Sequence, residues 1–508
     1  MSSADKSPAF SEMRKGEVSE LRVLLGNVQV RRNQSKLEEV IKKVIAYMTL
    51  GIDVSRLFSE MVMACQSGEI RIKKMVYLFL THYAQANADL AILAINTLRK
   101  DCSDADPMVR GLALRSLTNL HLRSMLEYVM DPLTKGLEDH SSYVRKAAVL
   151  GVLKVHLLDR SSFDDCSYIN TLYNMLRDPD SHVVMNSIVS LNEIMADEGG
   201  IVINNQIISY LLHRINEFDE WGKCSILALV AKYDPMSTEE TFSLMNVLDA
   251  TLSISNSAVV LGACHCFLAL SRECGDNILS QVYLRMKDPL LTSISGYVRD
   301  ENIFAVLKHV SLITGRRSSV FEDAYKQFYC RFNDPSNVKY IKVDILADLA
   351  NPSNVAEVIA ELSEYVADVD TQLATSALSA LGKIAIREVN TLGTILSQML
   401  DYIQIDNESL RTGAAIVIKD IIRTHPNCAK EVGPTIASSL PKLCSHTGRS
   451  ALIWILGHHG SVIREAPYAI EHLILNVENE NNSSVLLELL VAATNLFLIR
   501  PPEMKKML

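Results

Sequence analysis

A sequence motif that recurs about every 37 residues constrains the fold of this chain more than any other feature. Each copy has a turn rich in Asp, Ser or Asn, then an aliphatic anchor, then small and aliphatic residues at helical spacing, as in DADPMVRGLALRSLTNL and DVDTQLATSALSALGKIA. Asp or Ser before the anchor is typical of a helix N-cap, because its side chain accepts hydrogen bonds from unpaired backbone N–H groups. The motif therefore predicts a helix that starts at each turn.

The anchors follow one another at intervals of 35 to 39 residues within two long runs, and one more anchor opens a last unit. They are Ile72, Val109, Val144, Val183, Trp221 and Val259, then Val338, Leu373 and Leu410, and finally Val485. A second apolar stretch, such as MLEYVMDPLTKGL, separates the motifs and indicates helix pairs. The period is just short of the about 40–47 residues of two-helix armadillo and HEAT repeats. We therefore predict an all-α, HEAT/armadillo-like right-handed α-solenoid of stacked helix pairs, with more than 20 helices and no sheet.

The domain organisation follows from the absence of a linker. No Gly/Ser/Pro-rich stretch interrupts the repeats, so we expect one α-solenoid over residues 15–508 after a disordered segment, 1–14. Aromatic residues make up only 6% of the chain and hydrophobic residues 48%. A core with so few aromatic rings is typical of stacked helices built from aliphatic residues.

Charge and cysteine content restrict the compartment and the partners. The net charge is −9, which does not favour nucleic-acid binding, because that function needs a basic surface. The ten cysteines are scattered and no secretory signal pattern begins the chain, which indicates a reducing compartment such as the cytosol. The longest apolar stretch, from Leu486 to Ile499, is shorter than the about 20 residues that span a bilayer. We expect any membrane contact to be peripheral.

None of the common catalytic motifs for nucleotide binding, metalloproteases or serine hydrolases occurs in the sequence, so we expect no enzyme and no cofactor. Cys264, His265, Cys266 and Cys274 are metal-binding residue types. However, a tetrahedral zinc site needs Cys pairs at C-x2–4-C spacing, and two Cys at i and i+2 of a helix point about 200° apart. We interpret them as buried thiols of a repeat helix.

Two further segments admit a functional and a structural interpretation. His458 and His459 have no carboxylate or Cys at suitable spacing, so we interpret them as the end of a helix that Gly457 and Gly460 break. The segment Ile474–Glu478, ILNVE, loosely resembles a clathrin-binding peptide. Such peptides act when disordered, whereas this one lies in an apolar helical pattern, so we predict that it packs in the core.

Basic residues concentrate near the N-terminus of a chain that is acidic overall. They are Arg14, Lys15, Arg22, Arg31, Arg32, Lys36, Lys42 and Lys43. Lys and Arg near an anionic lipid surface contribute up to about 1 kcal/mol each. This end is the best candidate to face a membrane, and an ordinary solvated helix face is the alternative.

Many segments, in order, resemble the trunk of the β-adaptins, which are large subunits of the heterotetrameric adaptor complexes. They include EMRKGEVSELRVLL, KKVIAYMTLGIDVSRLF, KKMVYLFLTHYA, FYCRFNDPSNVKYIKVDIL and ALIWILGHHG, so the resemblance covers essentially the whole chain after about residue 12. PMVRGLALRSL, GGIVINNQI and EAPYAIEHLI are most similar to the β subunit of the fourth adaptor complex. Full-length β-adaptins also carry a hinge and an appendage domain, to which nothing in this sequence corresponds.

The resemblance implies a non-catalytic scaffold for sorting transmembrane cargo into vesicles. Such a trunk pairs with a second large adaptin and holds a medium (μ) and a small (σ) subunit, and the medium subunit reads sorting signals in the cargo. An Arf-family GTPase and an anionic membrane surface recruit the complex. The resemblance places it on the cytosolic face of trans-Golgi network or endosomal membranes.

The resemblance also implies two sites. In the first adaptor complex, the β trunk contacts the GTPase switch surface through aliphatic residues of the helix that reads LAILAINTL here. The matching positions are Ile92 and Ile95, one helical turn apart. Their alternative is ordinary core between repeats. The basic pair Arg14 and Lys15 matches a pair that faces lipid head groups, and we group Arg31 and Arg32 with it as a membrane or phosphoinositide site.

Two other classes of protein remain as alternatives. One is another HEAT scaffold, such as a nuclear transport receptor or a phosphatase scaffold, and the other is an enzyme whose site has no recognisable motif. The ordered segments shared with β-adaptins disfavour both.

Overall fold

The computed structural model describes residues 17–123, 126–160, 165–272, 274–296, 299–475 and 477–505. Within these ranges the chain forms 27 α-helices with short 3-10 turns and no β-strand, which confirms the all-α solenoid fold class. The contacts divide the chain into two compact units, one that ends at Met236 and one that begins at Ser237, and each is described by itself. The expectation of one domain over 15–508 stays a prediction.

The first unit contains thirteen of the described helices. They are α1 Glu17–Gly26, α2 Val28–Arg32, α3 Gln34–Thr49, α4 Phe58–Ala64, α5 Ile70–Tyr83, α6 Ala88–Asp101, α7 Pro107–Thr118, α8 Leu126–Leu137, α9 Ser142–Leu158, α10 Asp165–Met175, α11 Ser181–Ile194, α12 Asn205–His213 and α13 Glu220–Val230. Helices α5, α7, α9, α11 and α13 pack on one another in succession. Helices α4, α6 and α8 form a second layer, and helices α4, α6, α8, α10 and α12 each pack on the next helix of the first layer.

The second unit repeats this arrangement. Its helices are α14 Thr238–Leu248, α15 Ser257–Leu270, α16 Asp276–Ser295, α17 Asp300–Thr314, α18 Ser336–Leu349, α19 Val355–Val366, α20 Thr371–Arg387, α21 Leu392–Gln404, α22 Glu408–Thr424, α23 Ala429–Ser439, α24 His446–His458, α25 Ala466–Leu475, α26 Ser483–Ile499 and α27 Pro501–Met504. One layer runs from α15 through α17, α18, α20, α22 and α24 to α26, and α21, α23 and α25 pack together in the other.

The repeat motif marks the starts of the first-layer helices, as predicted. The Asp106 carboxylate accepts a hydrogen bond from the Met108 N–H at 2.9 Å, and Asp370 caps α20 in the same way. The anchor is the third residue of its helix, and Val109 and Leu373 are buried there. The cap therefore fixes where the helix starts, and the start places the anchor in the core.

Trp221 is the wrong anchor for α13, because its side chain is 81% exposed. The N-cap of this helix is Asp219, so the third helical residue is Gly222, which is buried. A Cβ atom on Gly222 would lie 3.0 Å from the Phe218 Cβ, which leaves no room for an aliphatic anchor. The large apolar side chain of Trp221 suggested the wrong register by one residue.

The residue after the anchor forms a charge pair between successive repeats in the first unit. The Arg110 guanidinium donates to both carboxylate oxygens of Asp139, at 2.8 and 2.9 Å. Arg145 donates to Asp178 in the same bidentate way, at 2.7 and 2.9 Å. Each arginine also donates to two backbone carbonyls of the loop before its own helix. These pairs tie each inter-repeat loop to its neighbour.

The corresponding pair at α5 is buried. The Lys73 ammonium lies 2.7 Å from Asp101, and the side chains are only 7% and 9% exposed. The Tyr77 hydroxyl also donates to the Asp101 carboxylate. The buried carboxylate therefore has two donors, as a buried charge requires.

Gly457 does not break α24, which continues to His458. A Cβ atom there would lie 2.5 Å from the Ala492 Cβ of α26. The absence of a side chain lets α24 and α26 approach closely, so the glycine serves packing. The prediction that the helix ends at the histidine pair is confirmed.

Candidate interaction surfaces

The first surface is the N-terminal edge, formed by Val23, Leu24, Val28, Arg31 and Arg32. The three apolar side chains are 73%, 40% and 61% exposed, in that order. Arg32 is exposed, and the half-buried Arg31 donates from Nε to the backbone carbonyl of Leu25 at 2.6 Å. The structure thus places the two arginines beside an exposed apolar group that the sequence reasoning did not identify. The other two predicted membrane residues, Arg14 and Lys15, lie outside the described residues.

The second surface is the α6 face, formed by Leu90, Ile92 and Leu93, which are 36%, 54% and 58% exposed. Ile95, by contrast, is 2% exposed and belongs to the core. The predicted GTPase contact is therefore wrong for Ile95, for which the alternative of ordinary core between repeats is correct. Since α6 packs on α7 and α8, the side of the helix that carries Ile95 is covered. Leu93, the neighbour of Ile92 in the chain, is exposed instead of Ile95.

The third surface is the central groove of the second unit, along α20, α22, α24 and α26. Two adjoining hollows of about 600 and 620 Å³ share Ile416. Hydroxyl side chains dominate the polar lining of the groove. They are Thr375, Ser379, Ser409, Thr412, Ser445, Thr447, Ser450 and Ser484. Such an open, mixed lining suits a side of another protein chain better than a small molecule.

The charges of the central groove are partly paired. The Lys383 ammonium donates to Asp344 at 2.9 Å, and Lys419 lies 3.9 Å from Asp420. Glu408 accepts a hydrogen bond from the Cys444 N–H at 2.9 Å and so anchors the loop before α24. The central groove therefore holds both signs of charge, and at least three of its charged side chains already have partners.

Trp454 lies at the far end of the central groove, where its ring stacks on His458 with centroids 4.4 Å apart. Burial, and then the neighbouring His458, lower the pKa of His459. Aromatic side chains at a groove are typical anchors of protein interfaces.

The fourth surface is the α26 face, formed by Leu487, Leu490 and Leu498, which are 63%, 62% and 74% exposed. Several large apolar side chains of one helix are thus open to solvent, which is typical of an interaction site. Nearby in sequence, the prediction that Ile474–Glu478 packs in the core is wrong for Leu475 and Val477, which are 76% and 42% exposed. The helical pattern does not continue through this segment, because α25 ends at Leu475 and Val477 begins a separate 3-10 turn.

Cys264 and Cys266 lie in α15 and are buried, as predicted. The interpretation as a buried helical thiol is wrong for Cys274, which follows the end of α15 at Leu270 and is half-buried. Burial raises the pKa of Cys264 to about 12, so this thiol stays protonated. No group of three or more His, Cys, Asp or Glu that could hold a metal ion occurs in the part of the chain that the structure describes. The same ranges contain no helix that is long and apolar enough to cross a bilayer.

Comparison with known sequences identifies one family. The family model for the adaptin N terminal region matches residues 13–508. AP-4 complex subunit beta-1 of Mus musculus is 40% identical over 97% of this chain, and Beta-adaptin-like protein A of Arabidopsis thaliana is 39% identical over 97%. AP-1 complex subunit beta-1 of Homo sapiens is 34% identical over 98%. This chain spans 66%, 60% and 52% of the lengths of these relatives, respectively.

Comparison with solved structures supports the fold. A chain of a homology model of the full-length AP-3 complex, in an intermediate open conformation, matches 96% of this chain and 84% of its own length, with a TM-score of 0.63 and 20% identity. A chain from a structure of Kap95p with RanGDP matches 98% of this chain and 71% of its own length, with a TM-score of 0.56 and 11% identity. At such identities the likeness concerns the fold alone.

Proposed function

This chain belongs to the adaptin family, among the β-adaptins, and we propose that it is the non-catalytic trunk of a β subunit in a heterotetrameric adaptor complex. The match of the adaptin model to residues 13–508 carries the proposal, together with 40% identity to a β subunit of the fourth complex. Identity to a β subunit of the first complex is lower, at 34%, and this difference favours the fourth complex as the subtype. On this proposal the chain helps to sort transmembrane cargo at the trans-Golgi network or endosomes.

Two surfaces of the second unit suit the other subunits. The α26 face presents Leu487, Leu490 and Leu498 in one helix, and the central groove adds Trp454 beside polar hydroxyls. Burial of such leucines contributes roughly 25 cal/mol per Å² of apolar surface removed from water. We assign these surfaces to a second large adaptin and to the medium (μ) subunit, with the small (σ) subunit completing the assembly.

The α6 face suits the Arf-family GTPase. Ile92 and Leu93 are more than half exposed on it, and an apolar contact fits the switch surface that the family resemblance implies. Of the two predicted residues, Ile95 belongs to the core, so only Ile92 is assigned to the proposed GTPase contact. The cytosolic membrane surface is assigned to Arg31 and Arg32, with Arg14 and Lys15 as further candidates.

The assembly is tested by co-expression and purification. The 508-residue chain should purify as a stable assembly when it is produced with the second large adaptin and the μ and σ subunits of the fourth complex. The substitutions L487D and L490D together should release partner subunits, because an unpaired carboxylate is costly in an apolar contact. The matched control is L157D, since Leu157 is 58% exposed on α9. A monodisperse monomer that takes up none of these subunits would contradict the proposal.

The GTPase contact is tested with I92D. Recruitment of the assembly to membranes that carry the GTP-loaded GTPase should be lost, since burial of an unpaired carboxylate costs several kcal/mol. Folding should be unchanged because Ile92 is 54% exposed. L157D again serves as the control. Normal recruitment of folded I92D would place the contact elsewhere.

A further inference from the structure

The N-terminal edge combines exposed apolar side chains with cations in a way that the fold does not require. In α1, Leu21 and Leu25 are buried at 4% and 1% exposure, so one side of this helix already serves the core. Val23 and Leu24 lie on the other side, at 73% and 40% exposure. Helix α1 packs on α3 and α4, and this packing leaves Val23 largely uncovered and Leu24 partly so.

The chain passes almost directly from α1 into α2, and this continues the apolar group. The Asn27 N–H donates to the Leu24 carbonyl at 3.2 Å, and the Asn27 side chain caps α2 by accepting from Gln29 at 2.9 Å. Val28, which follows the cap, is 61% exposed. The short α2 has no buried residue. Three apolar side chains that are at least 40% exposed thus occur within six residues of the chain.

Cations follow the apolar group directly. Arg31 and Arg32 are three and four residues after Val28, and the exposed Lys36 and Lys43 lie in the adjoining α3. None of these four forms an ion pair with another residue that the structure describes, whereas Lys42 pairs with Glu38 at 2.8 Å. The cations therefore remain available to a negatively charged surface.

We propose that the N-terminal edge enters the interfacial region of an anionic lipid bilayer, with Val23, Leu24 and Val28 among the lipid head groups and the cations on phosphates. The inference rests on the proposed membrane role and extends it from a purely electrostatic contact to a mixed one. Apolar side chains flanked by Lys or Arg are the composition of interfacial membrane contacts, in which two weak signals combine. A protein partner that covered the edge would instead need carboxylates opposite the four cations.

The two contributions differ in their response to salt. Attraction between cations and lipid phosphates is screened within about 10 Å at 0.1 M salt, whereas burial of apolar surface is not. Loss of the valines should therefore weaken binding at every salt concentration. Loss of the arginines should weaken it mainly at low salt.

Vesicles of phosphatidylcholine with phosphatidylserine, mixed with the 508-residue chain, provide the measurement. V23S/V28S should bind about tenfold more weakly than the wild type at both low and high salt, given the apolar surface removed. The matched control is V202S/V389S, since Val202 and Val389 are 66% and 62% exposed elsewhere. R31S/R32S should weaken binding mainly at low salt. Unfolding curves test whether all variants fold.

Depth is measured with tryptophan fluorescence. The emission of V28W should be quenched by vesicles that carry bromine on the acyl chains, and that of V202W should not.

Equal quenching of the two variants, or equal binding of V23S/V28S and V202S/V389S, would overturn the inference. If R31S/R32S alone then weakens binding, the proposed electrostatic membrane role stands without the apolar part. Absence of any vesicle binding by the wild type would overturn both. If V23S/V28S fails to co-purify with the other subunits on co-expression, while its vesicle binding is intact, the edge is a protein contact and the inference is overturned.

Discussion

The repeat junction at α5 and the two junctions that follow it perform the same task with different side chains. At α5 a lysine, Lys73, makes a single buried contact to Asp101, and Tyr77 supplies the second donor to that carboxylate. At α7 and α9 an arginine makes a bidentate pair with Asp139 or Asp178 and also holds two backbone carbonyls. The planar guanidinium reaches both carboxylate oxygens and both backbone carbonyls at once, so no second side-chain donor is needed. The lysine junction therefore depends on burial and on a second donor from Tyr77. Each arginine junction is formed by one side chain and its acceptors.

K73M should have the largest effect of the variants that address this difference. It leaves the Asp101 carboxylate buried with Tyr77 as its remaining side-chain donor, and loss of one partner of a buried pair costs about 3–5 kcal/mol. The free energy of unfolding, measured with urea, should fall by that amount. K74M is the control, since Lys74 is the exposed neighbour. Equal stability of the two variants would mean that Asp101 finds another partner.

R110K should have a smaller effect. Lysine keeps the charge beside Asp139 but loses the bidentate geometry and the bonds to Asp104 and Ala105 carbonyls. We expect a loss of about 2 kcal/mol of unfolding free energy, roughly the value of one hydrogen bond to a charged group, because lysine keeps one contact to Asp139 and water solvates the freed carbonyls. The reverse exchange, K73R, should not stabilise the protein, because Lys73 is buried and the core would have to accommodate a larger guanidinium. A gain in stability for K73R would break the distinction between the junctions.

The Arg110 junction should also respond to pH. The hydrogen bonds from Arg110 lower the pKa of Asp139 below its ordinary value of 3.8. A carboxylate with a lowered folded-state pKa stabilises the protein above its unfolded-state pKa, and that stabilisation is lost as pH falls through the lowered value. The wild type should therefore exceed R110Q in unfolding free energy, measured with urea, by a constant amount well above pH 3.8. This difference should decrease as the pH falls below 3.8. A gap that stays constant down to the acid transition would contradict this assignment.

R160S marks the lower end of the scale. Arg160 lies 2.7 Å from Asp197, but the side chains are 64% and 76% exposed. Exposed pairs contribute little because water and salt screen them, so the unfolding free energy should change by less than about 0.5 kcal/mol. A larger loss would show that burial is not what separates the junctions.

The candidate surfaces were predictable only in part. Charge composition marked Arg31 and Arg32, and family resemblance marked Ile92, and all three are at least partly accessible. The exposure of the valines in the N-terminal edge could not be predicted, because the sequence does not distinguish an exposed valine from a buried one. The α26 face was hidden for the same reason, since its leucines read as core in a helix that is apolar nearly all round.

The amino-acid sequence by itself determined the class of fold and the starts of its helices. Caps such as Asp106 and anchors such as Val109 act within one turn, so the local sequence suffices to specify them. Only the tertiary structure decided which side of a helix meets another helix. Ile92 and Ile95 are one turn apart in α6, yet only Ile95 is covered. Trp221 is exposed while Gly222 takes the buried position. Burial depends on neighbours about 37 residues away in the chain, which helical periodicity within a single segment does not report.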